Sequence, residues 1–277
     1  MGNEVSASFS CRLCDGRDLI LYFRQGNDGR FRYYKCRRCG LVNLDLSEGL
    51  DQSQYTDDVE DPEDDGGRQN RQIDQSFRFL QRQLSGPQRL CDIGTGNGRL
   101  LLLAKRAGWD AMGVELSESL AETTSRKLGV EIIGGNFLEW TPRTEHCQAF
   151  DIVSLRHVLE HLPDSRLALQ KIRALLRPGG HALFEMPNIE GWDKRIKRSL
   201  VNAGWHKRTY AQDFIAGHCN EFSRRSFEYL LGATGFRLVR WETYSNKPLG
   251  NWLLNLAPIG NKARALVQVA GQSEPRS

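Results

Sequence analysis

The chain is 277 residues long, enough for one large domain plus a small one. Its hydrophobic fraction of 39% and charged fraction of 26% are ordinary for a soluble globular protein. No apolar run approaches the ~20 residues a membrane span requires, and a net charge of +4 does not by itself point to nucleic acid.

The first residues, Met1-Gly2-Asn3-Glu4-Val5-Ser6, contain no apolar signal region, so the cytoplasm is the expected compartment. They match the short myristoylation pattern M-G-x-x-x-S, which arises often by chance. Beyond them lie two C-x-x-C knuckles, Cys11-Arg12-Leu13-Cys14 and Cys36-Arg37-Arg38-Cys39, separated by 21 residues. Leu19 to Phe23 and Phe31 to Lys35 read as strands, and Asn27-Asp28-Gly29 between them is a hairpin signal. Four thiolates on a hairpin can close a tetrahedral zinc site with no open position, a structural zinc ribbon over residues 1–44. Disulfides or a redox pair are the alternatives, and a reducing compartment disfavours the disulfides. Cys91, Cys147 and Cys219 lack such spacing and read as isolated thiols. The module is rich in arginine, with Phe31, Tyr33 and Tyr34 among the charges. Docking of RNA would use that combination, but so would a hairpin with one buried and one solvated face.

Residues 45–65 hold ten acids and no Lys or Arg. The stretch 45–70 reads as a solvated linker, either a plain spacer or a segment that folds over an active site.

Arg89 to Ile93 reads as a buried strand, followed by Gly94-Thr95-Gly96-Asn97-Gly98 and a helix-forming run from Arg99 to Arg106. A strand, a glycine turn and a helix N-terminus together form a site for a nucleotide-like ligand. In a dinucleotide fingerprint the third glycine would fall at position 99, which is Arg. Asp110 to Glu115 is a second strand, whose terminal carboxylate can accept hydrogen bonds from both ribose hydroxyls of either NAD or an adenosyl ligand. Ser117 caps a helix reaching about Lys127, and Glu131 to Phe137 is a third strand and turn.

Phe150 to Leu155 is a fourth strand, followed by Arg156-His157-Val158-Leu159-Glu160-His161. Those residues also match H-x-x-E-H, an inverted zinc-protease motif that requires a long helix. Its position directly after a strand instead places His157 at the sheet's ligand-binding edge. Asp164 caps a helix that ends at Pro178-Gly179-Gly180, a turn into the strand His181 to Asn188. The segment 188–222 is long for a connection and carries cationic and aromatic residues, among them Trp192, Lys194, Arg198 and Trp205. It suits a cover over an anionic small molecule, or a patch resting on a membrane surface. Ser223 then caps a helix ending at Gly235-Phe236, followed by a strand at 237–243, a last strand at 265–270 and a frayed tail at 271–277.

The D-x-G-x-G-x-G run at 92–98, with H-V-L-E-H-L at 157–162 and L-R-P-G-G at 176–180, resembles the class I S-adenosylmethionine (SAM) dependent methyltransferases over about residues 75–245. The resemblance implies an α/β fold with a doubly wound, seven-stranded, mostly parallel, Rossmann-like sheet spanning 71–277, preceded by the small zinc ribbon. It implies SAM held by Asp92, Gly94, Thr95, Gly96, Gly98, Glu115, Leu116, Asn136, Phe137 and Arg156, with Cys11, Cys14, Cys36 and Cys39 on Zn²⁺. The family places an acid where Asn136 stands, and Asn can accept the adenine amino hydrogen through its side-chain oxygen. Phe137 can offer its backbone N–H to the adenine or simply pack in the core. His157 and His218, with His206, are candidate bases for a hydroxyl acceptor. There is no N/D-P-P-Y type motif and no Pro-Cys nucleophile. This favours methyl transfer to oxygen or carbon of a small molecule, such as a sugar, lipid or secondary metabolite. An RNA base methyltransferase docking through the ribbon is the alternative, and a non-catalytic SAM-binding module a third.

Overall fold

The structure is a computed structural model that describes residues 9–51, 60–202, 205, 209–245 and 260–270. His206, the myristoylation pattern and the tail at 271–277 lie outside the described residues. In chain order the elements begin with β1 (Leu19–Gln25), β2 (Phe31–Cys36), β3 (Val42–Leu44), α1 (Arg68–Gln83), β4 (Arg89–Ile93), α2 (Arg99–Arg106) and β5 (Asp110–Glu115). They continue with α3 (Glu118–Leu128), β6 (Ile132–Gly134), β7 (Phe150–Arg156), α4 (Ser165–Leu175) and β8 (Leu176–Pro187). The last are α5 (Trp192–Asn202), β9 (Asn220–Glu221), α6 (Arg224–Thr234), β10 (Phe236–Tyr244) and β11 (Lys262–Val269). A seven-stranded sheet has the order β10-β11-β8-β7-β4-β5-β6, and β4 pairs in parallel with both β5 and β7. Among the described residues no helix is long and apolar enough to cross a membrane.

The contacts divide the chain into two compact units, the first comprising residues 1–52, 157–169 and 184–267. Its ribbon sheet has four strands in the order β1-β2-β3-β9. The hairpin closes as its residues require, with Gly26 and Gly29 at φ 87° and 69° and the Asp28 carboxylate accepting the Arg30 N–H at 3.0 Å. Phe31, Tyr33, Val42 and Leu44 bury against Ile189 and Ala216. Phe31, Tyr33 and Tyr34 are at most 2% exposed, so these rings form core and offer no face for a base to stack on. The fourth strand, β9, comes from far along the chain, through Val42↔Glu221 and Asn43↔Asn220.

The second unit, residues 53–156, 170–183 and 268–277, holds the glycine run. Its elements end where local chemistry dictates. Ser117 accepts the Leu120 N–H to start α3, and Gly129 at φ 58° ends it. Helix α1 has no side-chain cap of its own at Gly67. The Glu60 carboxylate supplies one instead, accepting the Gln69 and Asn70 N–H groups at 3.1 and 3.0 Å. The Pro178-Gly179-Gly180 turn expected from the sequence lies within strand β8, which starts at Leu176. It keeps the geometry of a turn there, because Gly179 has φ 77° and a Cβ on Gly180 would sit 2.9 Å from the Arg177 carbonyl and 3.1 Å from that of Phe150.

Candidate functional site

Strand β4 delivers Asp92 and the glycine run to one end of the sheet. Gly94, Gly96 and Gly98 all have positive φ, at 74°, 55° and 79°. Gly98 is the left-handed N-cap of α2, and a Cβ there would meet Leu128 Cδ1 at 2.5 Å and Thr124 Cγ2 at 2.6 Å. Gly96 differs, because nothing lies within 4 Å of where its Cβ would be. The loop is therefore shaped by glycine for two reasons, tight packing at Gly98 and a left-handed turn at Gly96 whose outer side no protein atom covers within 4 Å. Thr95 Oγ1 donates to the Asp92 carbonyl at 3.1 Å, and the Ser154 hydroxyl donates to the Asp92 carboxylate.

Glu115, 7% exposed at the end of β5, accepts the Gly96 N–H at 2.8 Å and the Ser117 N–H at 3.2 Å. A carboxylate has about four acceptor positions, so these bonds orient it and leave capacity for ribose hydroxyls. Beside it Leu116 is 46% exposed, an apolar face without cover. Asn136 is committed locally. Its Oδ1 accepts the Leu138 N–H at 3.0 Å and its Nδ2 donates to Glu139 at 2.9 Å. Phe137 is buried with its ring 6.3 Å from Trp140, and Lys171 donates to its carbonyl at 3.3 Å. Arg156 closes strand β7.

Sequence reading missed what holds this cradle. Arg99, the residue that breaks the dinucleotide pattern, is only 3% exposed. It pairs bidentately with Asp74 at 2.8 and 3.0 Å and donates to Asp65 at 2.7 Å and to the Pro62 carbonyl at 2.7 Å. The Asp74 hydrogen bond, assisted by Asp65 and opposed by burial, raises the guanidinium pKa further. Asn97 donates to Asn70 at 2.7 Å and to the Glu60 carbonyl at 2.8 Å, and Lys127 pairs with Asp61 at 2.7 Å. Residues 60–65 are thus tied to α1, α2 and α3 by specific bonds, beyond what a solvated spacer needs. The i+25 and i+34 separations leave no local sequence signal.

In the other unit the Sγ atoms of Cys11, Cys14, Cys36 and Cys39 all lie within 4.8 Å of one another, and all four residues are buried. Cys11–Cys39 and Cys14–Cys36 are each 3.5 Å apart. A disulfide needs about 2.05 Å, whereas a tetrahedron with Zn–S of about 2.3 Å has sulfur edges near 3.8 Å. The four thiols fit Zn²⁺. Hydrogen bonding from Cys39 pulls the Cys11 thiol down from its ordinary value. Of the remaining thiols, Cys91 and Cys219 are buried and Cys147 is exposed. Burial pushes Cys219 up to about 12.

The ribbon is joined to the segment 217–221 by Arg12. Its Nε donates to Asn220 at 3.2 Å, its Nη1 to the Leu44 carbonyl at 2.9 Å and its Nη2 to the Cys219 carbonyl. Tyr33 donates to the His218 carbonyl at 3.0 Å. This scaffold presents His218, whose Nδ1 lies 3.0 Å from Glu221 Oε1, while Lys194 donates to Glu221 Oε2 at 3.0 Å. Burial works to raise Glu221, but Lys194 and His218 outweigh it and hold the carboxyl down to about 2. Nearby, His157 adopts φ 56° and its Nδ1 lies 3.3 Å from Glu160 Oε1. The stretch Leu159–His161 is a single 3₁₀ turn, not the long helix a zinc protease requires, so that reading of H-x-x-E-H fails. A cavity of about 390 Å³ is lined by Tyr22, Phe23, Lys194, Arg198 and Glu221, among others. From the segment after β8 this cavity takes the cations Lys194 and Arg198, whereas its rings, Tyr22 and Phe23, come from β1.

The methyltransferase domain family matches residues 66–240, more than half of the chain, and the chain belongs to that family. Its cofactor is SAM, which the open space at Gly96 and the Glu115 carboxylate fit. The chain is 33% identical over 107 residues to a ubiquinone biosynthesis O-methyltransferase from Cronobacter sakazakii, covering 36% of this chain and 43% of that one. It is 30% identical over 116 residues to the enzyme of the same name from Methylococcus capsulatus, covering 40% and 49%. It thus spans less than half the length of these curated relatives. Among solved structures, the PH0226 protein of Pyrococcus horikoshii aligns with a TM-score of 0.55 at 17% identity, over 79% of this chain and 95% of that one. Magnesium protoporphyrin IX methyltransferase of Synechocystis, solved with bound SAH, aligns at 0.52 and 13% identity, over 73% and 84%. These likenesses fix the fold as that of a class I SAM-dependent methyltransferase.

Proposed function

We propose that the protein transfers a methyl group from SAM to an oxygen of a small molecule. The observation that carries the reading is the cradle, an open Gly96 beside a Glu115 carboxylate already oriented by the Gly96 N–H. The choice of oxygen rests on the similarity to O-methyltransferases of ubiquinone biosynthesis. When bound, SAM supplies a methyl group already activated on a sulfonium. The residues must therefore bind, orient and exclude water. Glu115 accepts the ribose hydroxyls, and the Gly94–Gly98 backbone faces the amino acid end with Asp92 and Thr95 fixing its turn. Leu116 covers the adenine face. Asn136 accepts from the adenine amino group through the second lone pair of Oδ1, Phe137 offers its N–H, and Arg156 borders the site. His157, 31% exposed and paired to Glu160, takes the proton from the acceptor hydroxyl, with His218 as the second candidate.

The cations of the segment 188–222, among them Lys194 and Arg198, support an acceptor that carries an anionic group. An acceptor of that kind, acting in the cytoplasm or at a membrane surface, accounts for the basic segment as well. The test is calorimetry with SAM and NAD, followed by labelled SAM with small hydroxylated acceptors, a membrane-lipid extract and total RNA. SAM binding with label in a small-molecule ether is the expected result. Preference for NAD, or label only in RNA, overturns the reading, and tight SAM binding with no labelled product would identify a non-catalytic module.

A further inference from the structure

We infer that Glu160, His161 and His218 form a second metal site, separate from the cysteine cluster, that takes a divalent first-row cation such as Zn²⁺, Co²⁺ or Mn²⁺. One carboxylate oxygen and one ring nitrogen from each histidine lie within 4.8 Å of one another. Two imidazoles and a carboxylate are a donor set for divalent first-row metals, and three protein ligands leave positions for water or another oxygen ligand.

An independent observation comes from the carboxylate itself. Glu160 is 1% exposed, and its Oε2 is buried with no hydrogen-bond partner among the described residues. A buried carboxylate oxygen left without a partner is unfavourable, and native proteins rarely leave one so. A cation at that oxygen removes the penalty. The other oxygen, Oε1, is occupied by His157.

The histidines are prepared in the way metal-binding imidazoles are. His161 Nδ1 lies 2.7 Å from the Gly217 carbonyl, an acceptor only, so Nδ1 carries the hydrogen and the ring's lone pair is on Nε2. His218 Nδ1 lies against the Glu221 carboxylate, giving the carboxylate–histidine pairing that orients a ligand and raises its basicity. The two rings are held edge to face with centroids 4.7 Å apart. The ligands come from separate stretches of chain, yet they are locked in register. The Cys219 N–H donates to the Glu160 carbonyl at 3.0 Å, and Asn220 Nδ2 donates to the Leu162 carbonyl at 2.8 Å. Such fixed geometry lowers the ordering cost of binding. The ribbon pairs with β9 through β3, so the structural zinc cluster would also support the second ion's ligands.

The inference concerns the ion and holds whatever the methyl acceptor is. The test uses the full chain, freed of metal with a strong chelator, desalted and titrated with Co²⁺. The expected spectrum shows intense sulfur-to-metal bands from the cysteine cluster and, at a second equivalent, weaker visible bands without sulfur character. Glu160→Gln and His218→Ala should each remove the second equivalent while retaining the first, which also reports that the ribbon is folded. Glu221→Gln, which removes only an outer partner, should weaken the second site by about 10-fold. Mn²⁺ binding to the unaltered protein, read by electron paramagnetic resonance, needs no variant and discriminates against thiolate sites. One bound Mn²⁺ per chain supports the site. A single Co²⁺ equivalent of wholly sulfur character, together with no bound Mn²⁺, overturns it.

Discussion

The two units build their sites in opposite ways. The proposed SAM cradle is made mostly of backbone, with three positive-φ glycines in five residues and a carboxylate two residues from its helix cap. The ribbon and histidine cluster are made of side chains drawn from residues 11–39, 157–161 and 217–221. A backbone site needs small residues in a fixed local order, whereas a side-chain site needs donors brought together by the rest of the fold. The first should therefore fail through substitutions that add atoms, and the second through loss of a ligand.

The largest effect should come from removing the structural metal. Metal binding supplies on the order of 10 kcal/mol or more to small zinc modules. Stripping Zn²⁺ with a strong chelator, or Cys36→Ser, should unfold the ribbon, and hydrogen exchange across β1 to β3 should become unprotected. SAM affinity measured in the same sample should fall far less. Equal loss of both would show that the two sites do not differ as described.

Next in size is Arg99→Ala, which strands the half-buried Asp74 carboxylate, 17% exposed, and frees Asp65. Breaking a buried pair from one side costs about 3–5 kcal/mol. The melting transition should drop accordingly, and amides in 60–70 should lose protection first. Gly98→Ala should cost about 2–4 kcal/mol, combining a left-handed φ of 79° with contacts near 2.5 Å to Leu128 and Thr124. Gly96→Ala keeps the φ penalty but meets no protein atom, so its larger consequence should be on SAM affinity rather than on melting. A reversal of that pattern would mean that the open space at Gly96 is not the ligand's.

These contrasts also explain what the sequence disclosed. The glycine run, the Glu115 strand end, the cysteine knuckles and the Ser117 and Ser223 caps are local, and each carries its chemistry within a few residues. The Arg99–Asp74–Asp65 network, the β3–β9 pairing and the Glu160–His218 juxtaposition depend on contacts between distant positions, which spacing cannot encode. Histidines at 157 and 161 are legible as a motif, but their roles are not. A helical i,i+4 geometry would aim both at one ion, whereas the 3₁₀ turn and the positive φ of His157 send the chain elsewhere. The acidic run at 60–65 looked like a spacer because its partners, Arg99, Lys127 and the α1 N-terminus, lie on three helices.

Smaller effects test the cradle's polar contacts. Glu115→Gln keeps the shape but removes the charge, and hydrogen bonds to a charged group are worth about 1.5–3 kcal/mol. SAM should bind about 10- to 100-fold more weakly by calorimetry, and melting should fall modestly, because both carboxylate oxygens accept backbone N–H groups and the amide NH₂ must face one of them.

The smallest effect is at Asn136, where the chain departs from the family's acid. Asn136→Asp would offer the adenine amino group a charged acceptor, which should tighten binding by about 1 kcal/mol. The same change replaces the Nδ2 donor to Glu139 with a second carboxylate in contact, at a group exposed enough for solvent to screen the repulsion to a fraction of that. The single substitution should therefore leave SAM affinity within about threefold of the wild type. Pairing it with Glu139→Gln removes the repulsion, and the double variant should bind SAM about three- to tenfold more tightly than the wild type. Calorimetry on the four proteins of this cycle separates the terms. If the double variant binds no better than the wild type, Asn136 does not reach the adenine, and its side chain serves only to cap the turn at Leu138.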